Sequence, residues 1–149
     1  MPRDVLDSLA AIVTDHDDPT TETGGIMVGH DRGWSIDVTG IGAPGPLAVH
    51  ETARFNRDLA YASEVAADAW QRDRSQWIGE WHTHPGGRHA PSRFDWSSPA
   101  RADTARSGRT GQRMGHLVVV WGTHPECRVA SGAVVPADVV RDRGHGLMA

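Results

Sequence analysis

Glu80-Trp81-His82-Thr83-His84-Pro85, followed at fixed distance by Ser92 and Asp95, is the stretch around which the rest of the sequence can be organised. Two imidazoles two positions apart point the same way from an extended backbone, and a carboxylate eleven residues later can return on the next element. The set can hold one zinc ion beside a polar helper. Three nitrogen and oxygen ligands leave a fourth zinc position open for a water that the metal acidifies, which is the mark of a catalytic rather than a structural zinc. The pattern therefore implies hydrolytic chemistry at a strand end. Each piece alone has a plainer reading: Ser92-x-x-Asp95 is a helix capping box, His-x-His a surface strand, and a glutamate before Gly-Gly a turn. Capping and ligation are compatible, because a Ser92 N-cap orients Asp95 at the start of a helix.

A second element lies far upstream, Thr21-Glu22-Thr23-Gly24-Gly25-Ile26-Met27-Val28-Gly29, a glutamate ahead of Gly-Gly and a short apolar run. Together the two segments resemble the motif of the JAMM/MPN+ zinc metallopeptidases, including the prokaryotic JAB group, with all five functional positions present. The resemblance implies that His82, His84 and Asp95 bind one Zn²⁺, that Glu22 is the general base, and that Ser92 stabilises the tetrahedral intermediate. Zinc-activated water, with Glu22 carrying its proton to the leaving amine and Ser92 Oγ donating to the oxyanion, is the mechanism expected of these residue types. No covalent acyl-enzyme is expected.

In fold, the resemblance implies one JAB/MPN domain over residues 1–149, α/β (α+β), a mixed central sheet flanked by helices with the zinc site at a strand end and a helix N-terminus. In function, it implies an isopeptidase cutting the amide after the C-terminal Gly of a ubiquitin-like protein. The Gly-Glu-Trp-His-Thr-His-Pro form is most like small bacterial deconjugases encoded beside E1-like and E2-like proteins in anti-phage operons of the CBASS or Bil type. Three alternatives stay open. One is a peptidase that processes a ubiquitin-like sulfur carrier. Another is the RadC-like branch, which shares the His-x-His-Pro-x-Gly and Pro-Ser-x-x-Asp pattern but is expected to carry an N-terminal helical region. The third is a non-catalytic MPN scaffold, against which the intact motif argues.

Composition narrows the field. At 149 residues, 38% hydrophobic and 23% charged, the chain is consistent with one compact domain and contains no apolar run long enough to cross a membrane. Met1-Pro2-Arg3-Asp4-Val5-Leu6 lacks the apolar core of a secretory signal, so a cytoplasmic protein is expected. A net charge of -4 and a pI near 6.1 offer no global attraction to nucleic acid; Arg101, Arg106, Arg109 and Arg113 are the only cationic cluster. The single Cys127 excludes an internal disulfide and is expected to pack in a strand. All fifteen basic residues other than histidine are arginine, which fits either GC-rich codon usage or protection from conjugation on lysine.

Periodicity predicts an amphipathic helix over 3–14 and a hairpin of strands 25–29 and 34–41 about His30-Asp31-Arg32-Gly33. A turn follows at Gly42–Pro46, and then a long helix from Ala53 to Arg72. A strand over 77–81 delivers the histidines at its end, a helix spans 92–106, and Ser107–Gly115 is a loop. Strands 117–121 and 128–135 complete the order. Asp15, Asp17 and Asp18 could attract a basic tail, although a solvated loop is the plainer reading; His89 could approach the metal but reads first as a surface residue. Trp81 and Trp96, which flank ligands, are expected to wall the zinc, whereas Trp70 and Trp77 are expected in the core.

Overall fold

The computed structural model describes residues 1–85, 113–121 and 127–136, and in the last two segments only the side chains of Leu117 and Val119. Helix α1 runs from Arg3 to Thr14, as periodicity predicts. Its Val5, Leu9 and Val13, four residues apart, form one buried stripe. Strands β1 (Gly24–Asp31) and β2 (Ile36–Ile41) pair antiparallel. Their turn is closed by Arg32 N–H donating to the Ser35 carbonyl and by Gly33 N–H donating to the Asp31 carboxylate. Gly33 sits at φ 83°, a conformation that glycine adopts without penalty.

The segment after the Gly/Pro turn departs from expectation. Residues from Ala53 do not start a helix: Val49–Glu51 (β3) and Arg54–Asn56 (β4) form a small antiparallel hairpin, with His50 opposite Phe55. Helix α2 begins only at Leu59 and ends at Asp73. Asp58 fixes that start, its extended backbone and Oδ1 accepting the Tyr61 N–H as an N-cap. The aspartate was a visible start signal, but the apolar spacing of Phe55 and Leu59 ran through it. Arg74 closes the helix in the left-handed conformation at φ 64°.

Strand β5 (Gln76–His84) is longer than 77–81 and carries both histidines within the sheet rather than beyond it. Strands β6 (Arg113–Trp121) and β7 (Cys127–Pro136) complete a five-stranded sheet of order β2-β1-β5-β6-β7. Among the described strands only β5 and β6 pair in parallel, so the sheet is mixed, as expected. Residues 113–115, expected in a loop, belong to β6. Cys127 opens β7, so its place in a strand is as expected. The expected helix over 92–106 lies outside the described residues.

Alternation along β1 assigns the helices to opposite faces. Met27 packs with Leu9 and Val13 of α1, while its neighbours Ile26 and Val28 pack with Ala62 and Ala69 of α2. Along β5 the alternation is broken once. Met27 faces Gly79 but Val28 faces Trp77, leaving Ile78 as the extra residue of a β-bulge. Ile78 and Trp81, three apart, both join the α1-side core. Glu80, His82 and His84 are thereby turned to the α2 face.

Two tryptophan expectations change as a result. Trp81 is fully buried on the face away from the histidines, its Nε1 donating to the Gly42 carbonyl at 2.9 Å, so it does not wall them. Trp70 is 38% exposed beneath the Arg74 guanidinium, since its place on α2 lies at the rim of the buried stripe. Trp77 packs against the α2-side core, as expected.

The Gly-Gly pair is required by close approach. A Cβ on Gly25 would overlap the Gly42 carbonyl oxygen and lie 2.9 Å from Trp81 Nε1; one on Gly24 would lie 2.8 Å from the Phe55 ring. Gly25→Ala is expected to cost about 1–3 kcal/mol of stability, the usual penalty of overpacking, with the Trp81–Gly42 hydrogen bond displaced. Urea unfolding followed by tryptophan fluorescence checks this; a wild-type midpoint would contradict it.

Candidate metal and catalytic site

The site is built where β5 meets the approach to β1. Gly24 stands opposite His82 in the antiparallel register. One step further out, Thr83 N–H donates to the Thr23 carbonyl at 2.7 Å, and Thr23 N–H donates to Thr83 Oγ1 at 2.9 Å. Thr23 and Thr83, 60 positions apart in sequence, thus meet at the site's edge. Glu22, His82 and His84 are all buried, at 8%, 5% and 5% exposure.

The two imidazoles converge. His82 Nε2 lies 2.7 Å from His84 Nε2, and the ring centroids are 4.5 Å apart. Ring nitrogens so placed either share a proton or direct their lone pairs at a common cation. Two nitrogen ligands of a tetrahedral zinc, each about 2.05 Å from the metal, stand about 3.3 Å apart. A small opening of the rings therefore meets the metal's need, and the donor set fits it. Among the described residues no group of three or more His, Cys, Asp or Glu side chains forms a metal cluster. Asp95 and Ser92, the third expected ligand and the expected oxyanion donor, lie outside the described residues, as do His89 and Trp96. Of the five expected residues the structure thus brings His82 and His84 together and places Glu22, buried, two residues ahead of the β1 residue that faces His82.

A buried ion pair on the same face went unanticipated. Arg57 Nη2 meets Glu80 Oε2 at 2.8 Å, with side chains only 10% and 3% exposed. The guanidinium also stands 5.8 Å from the Trp77 ring centroid. Arg57 links β4 to the α2 cap, so the pair ties that junction to β5 two residues before His82. Its sequence signal was slight: Glu80 in an otherwise apolar strand is a buried carboxylate in need of a cation.

On the opposite face a narrow cleft is lined by Val13, His16, Pro19, Thr21, Thr23 and Pro85. Burial, and then the neighbouring His50, hold the His16 pKa below its ordinary 6.5. Asp18 is occupied in its own turn, accepting from Thr20 N–H and Oγ1, and these bonds lower its pKa. The solvated-loop reading of this acidic stretch is the one the geometry favours.

With this geometry in view, comparison with known proteins is direct. Residues 2–102 match the family described as prokaryotic homologs of the JAB domain. The chain belongs to that family. It is 32% identical over 78 residues to a CD-NTase/cGAS isopeptidase of Vibrio cholerae serotype O1, covering 51% of this chain and 50% of the relative. It is also 32% identical over 81 residues to a CD-NTase/cGAS isopeptidase of Escherichia coli, covering 53% and 52%. The chain spans about half the length of these curated relatives. The solution structure of a protein from Desulfitobacterium hafniense shares the fold, with a TM-score of 0.59 at 16% identity over 90% of this chain and 86% of that one.

Removing one partner of a buried ion pair leaves an uncompensated charge. Arg57→Ala is therefore expected to destabilise the protein by about 3–5 kcal/mol, whereas the double variant Arg57→Met with Glu80→Leu should recover most of that loss. Denaturant midpoints for both variants check this, and an Arg57→Ala protein as stable as wild type would contradict it.

Proposed function

We propose that the chain is a zinc-dependent isopeptidase that hydrolyses the amide after the C-terminal Gly of a ubiquitin-like protein. The observation that carries this reading is the convergence of His82 and His84 at 2.7 Å, with the buried Glu22 two residues ahead of the β1 residue that faces His82. His82, His84 and Asp95 would hold one zinc ion. When bound, the ion supplies an acidified water and a Lewis acid for the scissile carbonyl. Glu22 would take a proton from the attacking water and return it to the leaving amine. Ser92 Oγ would donate a hydrogen bond to the oxygen on which negative charge grows.

The two relatives named as CD-NTase/cGAS isopeptidases support an amide bond to a protein side chain as the target. From the resemblance of its motif to that of the small bacterial deconjugases, we infer that the chain works in anti-phage defence beside E1-like and E2-like proteins in the cytoplasm. Among the described residues no helix is long and apolar enough to cross a membrane.

The test is cleavage of a fusion joining the C-terminal Gly of a ubiquitin-like domain encoded beside this chain to a reporter. Zinc-loaded protein should release the reporter, chelator should stop it, and Glu22→Ala should slow it by about 10²–10⁴-fold, the range for losing a general base. Normal turnover by Glu22→Ala would overturn the assigned mechanism. Absence of cleavage by the zinc-loaded protein would favour the sulfur-carrier or scaffold reading.

A further inference from the structure

Glu22 precedes the first residue of β1, where a strand ordinarily frays, yet both of its peptide groups are held. Its N–H donates to the Glu51 carbonyl at 2.8 Å. Its carbonyl lies 3.0 Å from His50 Nδ1. A carbonyl only accepts, so Nδ1 carries the proton and donates. Both anchors come from β3 of the small hairpin. The hairpin itself is seated by Phe55, the partner of His50 across the strands, whose ring covers Gly24.

A second histidine completes the arrangement from the loop after α1. The His16 ring lies 4.7 Å from the His50 ring, and His50 lies 5.4 Å from Phe55. His16 Nε2 meets Thr21 Oγ1 at 2.9 Å, one residue before Glu22. The segment 21–22 is thus gripped at three points by two adjoining, mutually tilted imidazoles and one backbone carbonyl. None of these groups belongs to the metal and proton-transfer set.

We propose that His50 is a positioning residue for the general base: its Nδ1–H, braced by the His16 ring, fixes the Glu22 backbone so that the carboxylate stays aligned with the histidine pair. This rests on the isopeptidase reading for its catalytic consequence, but not for the backbone restraint itself. A catalytic group displaced by about 1 Å can cost on the order of 100-fold in rate, so a restraint at the peptide carrying that group matters more than its own hydrogen bond.

The experiment compares His50→Asn with His50→Phe in the full chain. Asparagine returns an N–H donor near the Nδ1 position, whereas phenylalanine keeps the ring contacts and loses the donor. His50→Phe is expected to lower kcat by about 10- to 100-fold with KM and bound zinc unchanged, and His50→Asn to restore most of the rate. Amide hydrogen exchange at Glu22 is expected to quicken in His50→Phe and to stay slow in His50→Asn. His50→Ala serves as the donor-free variant if His50→Phe does not fold. Unchanged kcat and unchanged Glu22 exchange in the donor-free variant, or equal losses in the asparagine and phenylalanine variants, would overturn the proposal. The exchange measurement needs no turnover, so an inactive wild-type protein would count against the isopeptidase reading and leave the restraint to be decided by the exchange rate.

Discussion

The antiparallel register between β1 and β5 is the constraint on which the site depends. It sets Gly24 opposite His82, and the Thr23–Thr83 hydrogen bonds carry the pairing one residue further toward Glu22. A shift of one residue would exchange the faces of every side chain on the strand. The bulge at Ile78 already performs one such exchange, allowing Ile78 and Trp81 to fill the α1-side core while Glu80, His82 and His84 turn to the other face. Trp77 stays on that other face, against the α2-side core.

The polar face needs partners, because buried polar groups are costly when alone. Arg57 answers Glu80, and the small hairpin answers the backbone of Glu22. Both come from the short stretch between the Gly/Pro turn and α2, which makes residues 49–58 the support of the site rather than a simple connection. The close contact of Phe55 with Gly24 leaves no room for a larger residue after Thr23.

Much of this was legible in the sequence. The stripe of Val5, Leu9 and Val13 located α1, the turn residues Asp31 and Gly33 located the first hairpin, and the spacing of His82 and His84 put both imidazoles on one face. The fold class followed from resemblance, because periodicity alone does not define which strands are neighbours. What could not be read was set by tertiary contact. The β3–β4 hairpin is too short for a periodic signal and was absorbed into the α2 pattern despite Asp58. The face taken by Trp81 depends on a bulge that leaves no mark in composition. The partnership of Arg57 with Glu80, and of His50 with Glu22, spans 23 and 28 positions and arises only once the sheet is assembled.

The central claim is that the β1–β5 register assembles a metal site from His82 and His84. Zinc stoichiometry of the purified full chain, measured by mass spectrometry beside His84→Ala and repeated with cobalt(II) for its ligand-field spectrum, tests it most directly. The account predicts one ion per chain, a tetrahedral nitrogen and oxygen spectrum for cobalt, and loss of both in His84→Ala. A wild-type protein that takes up no metal, or a His84→Ala protein that binds it equally well, would contradict it.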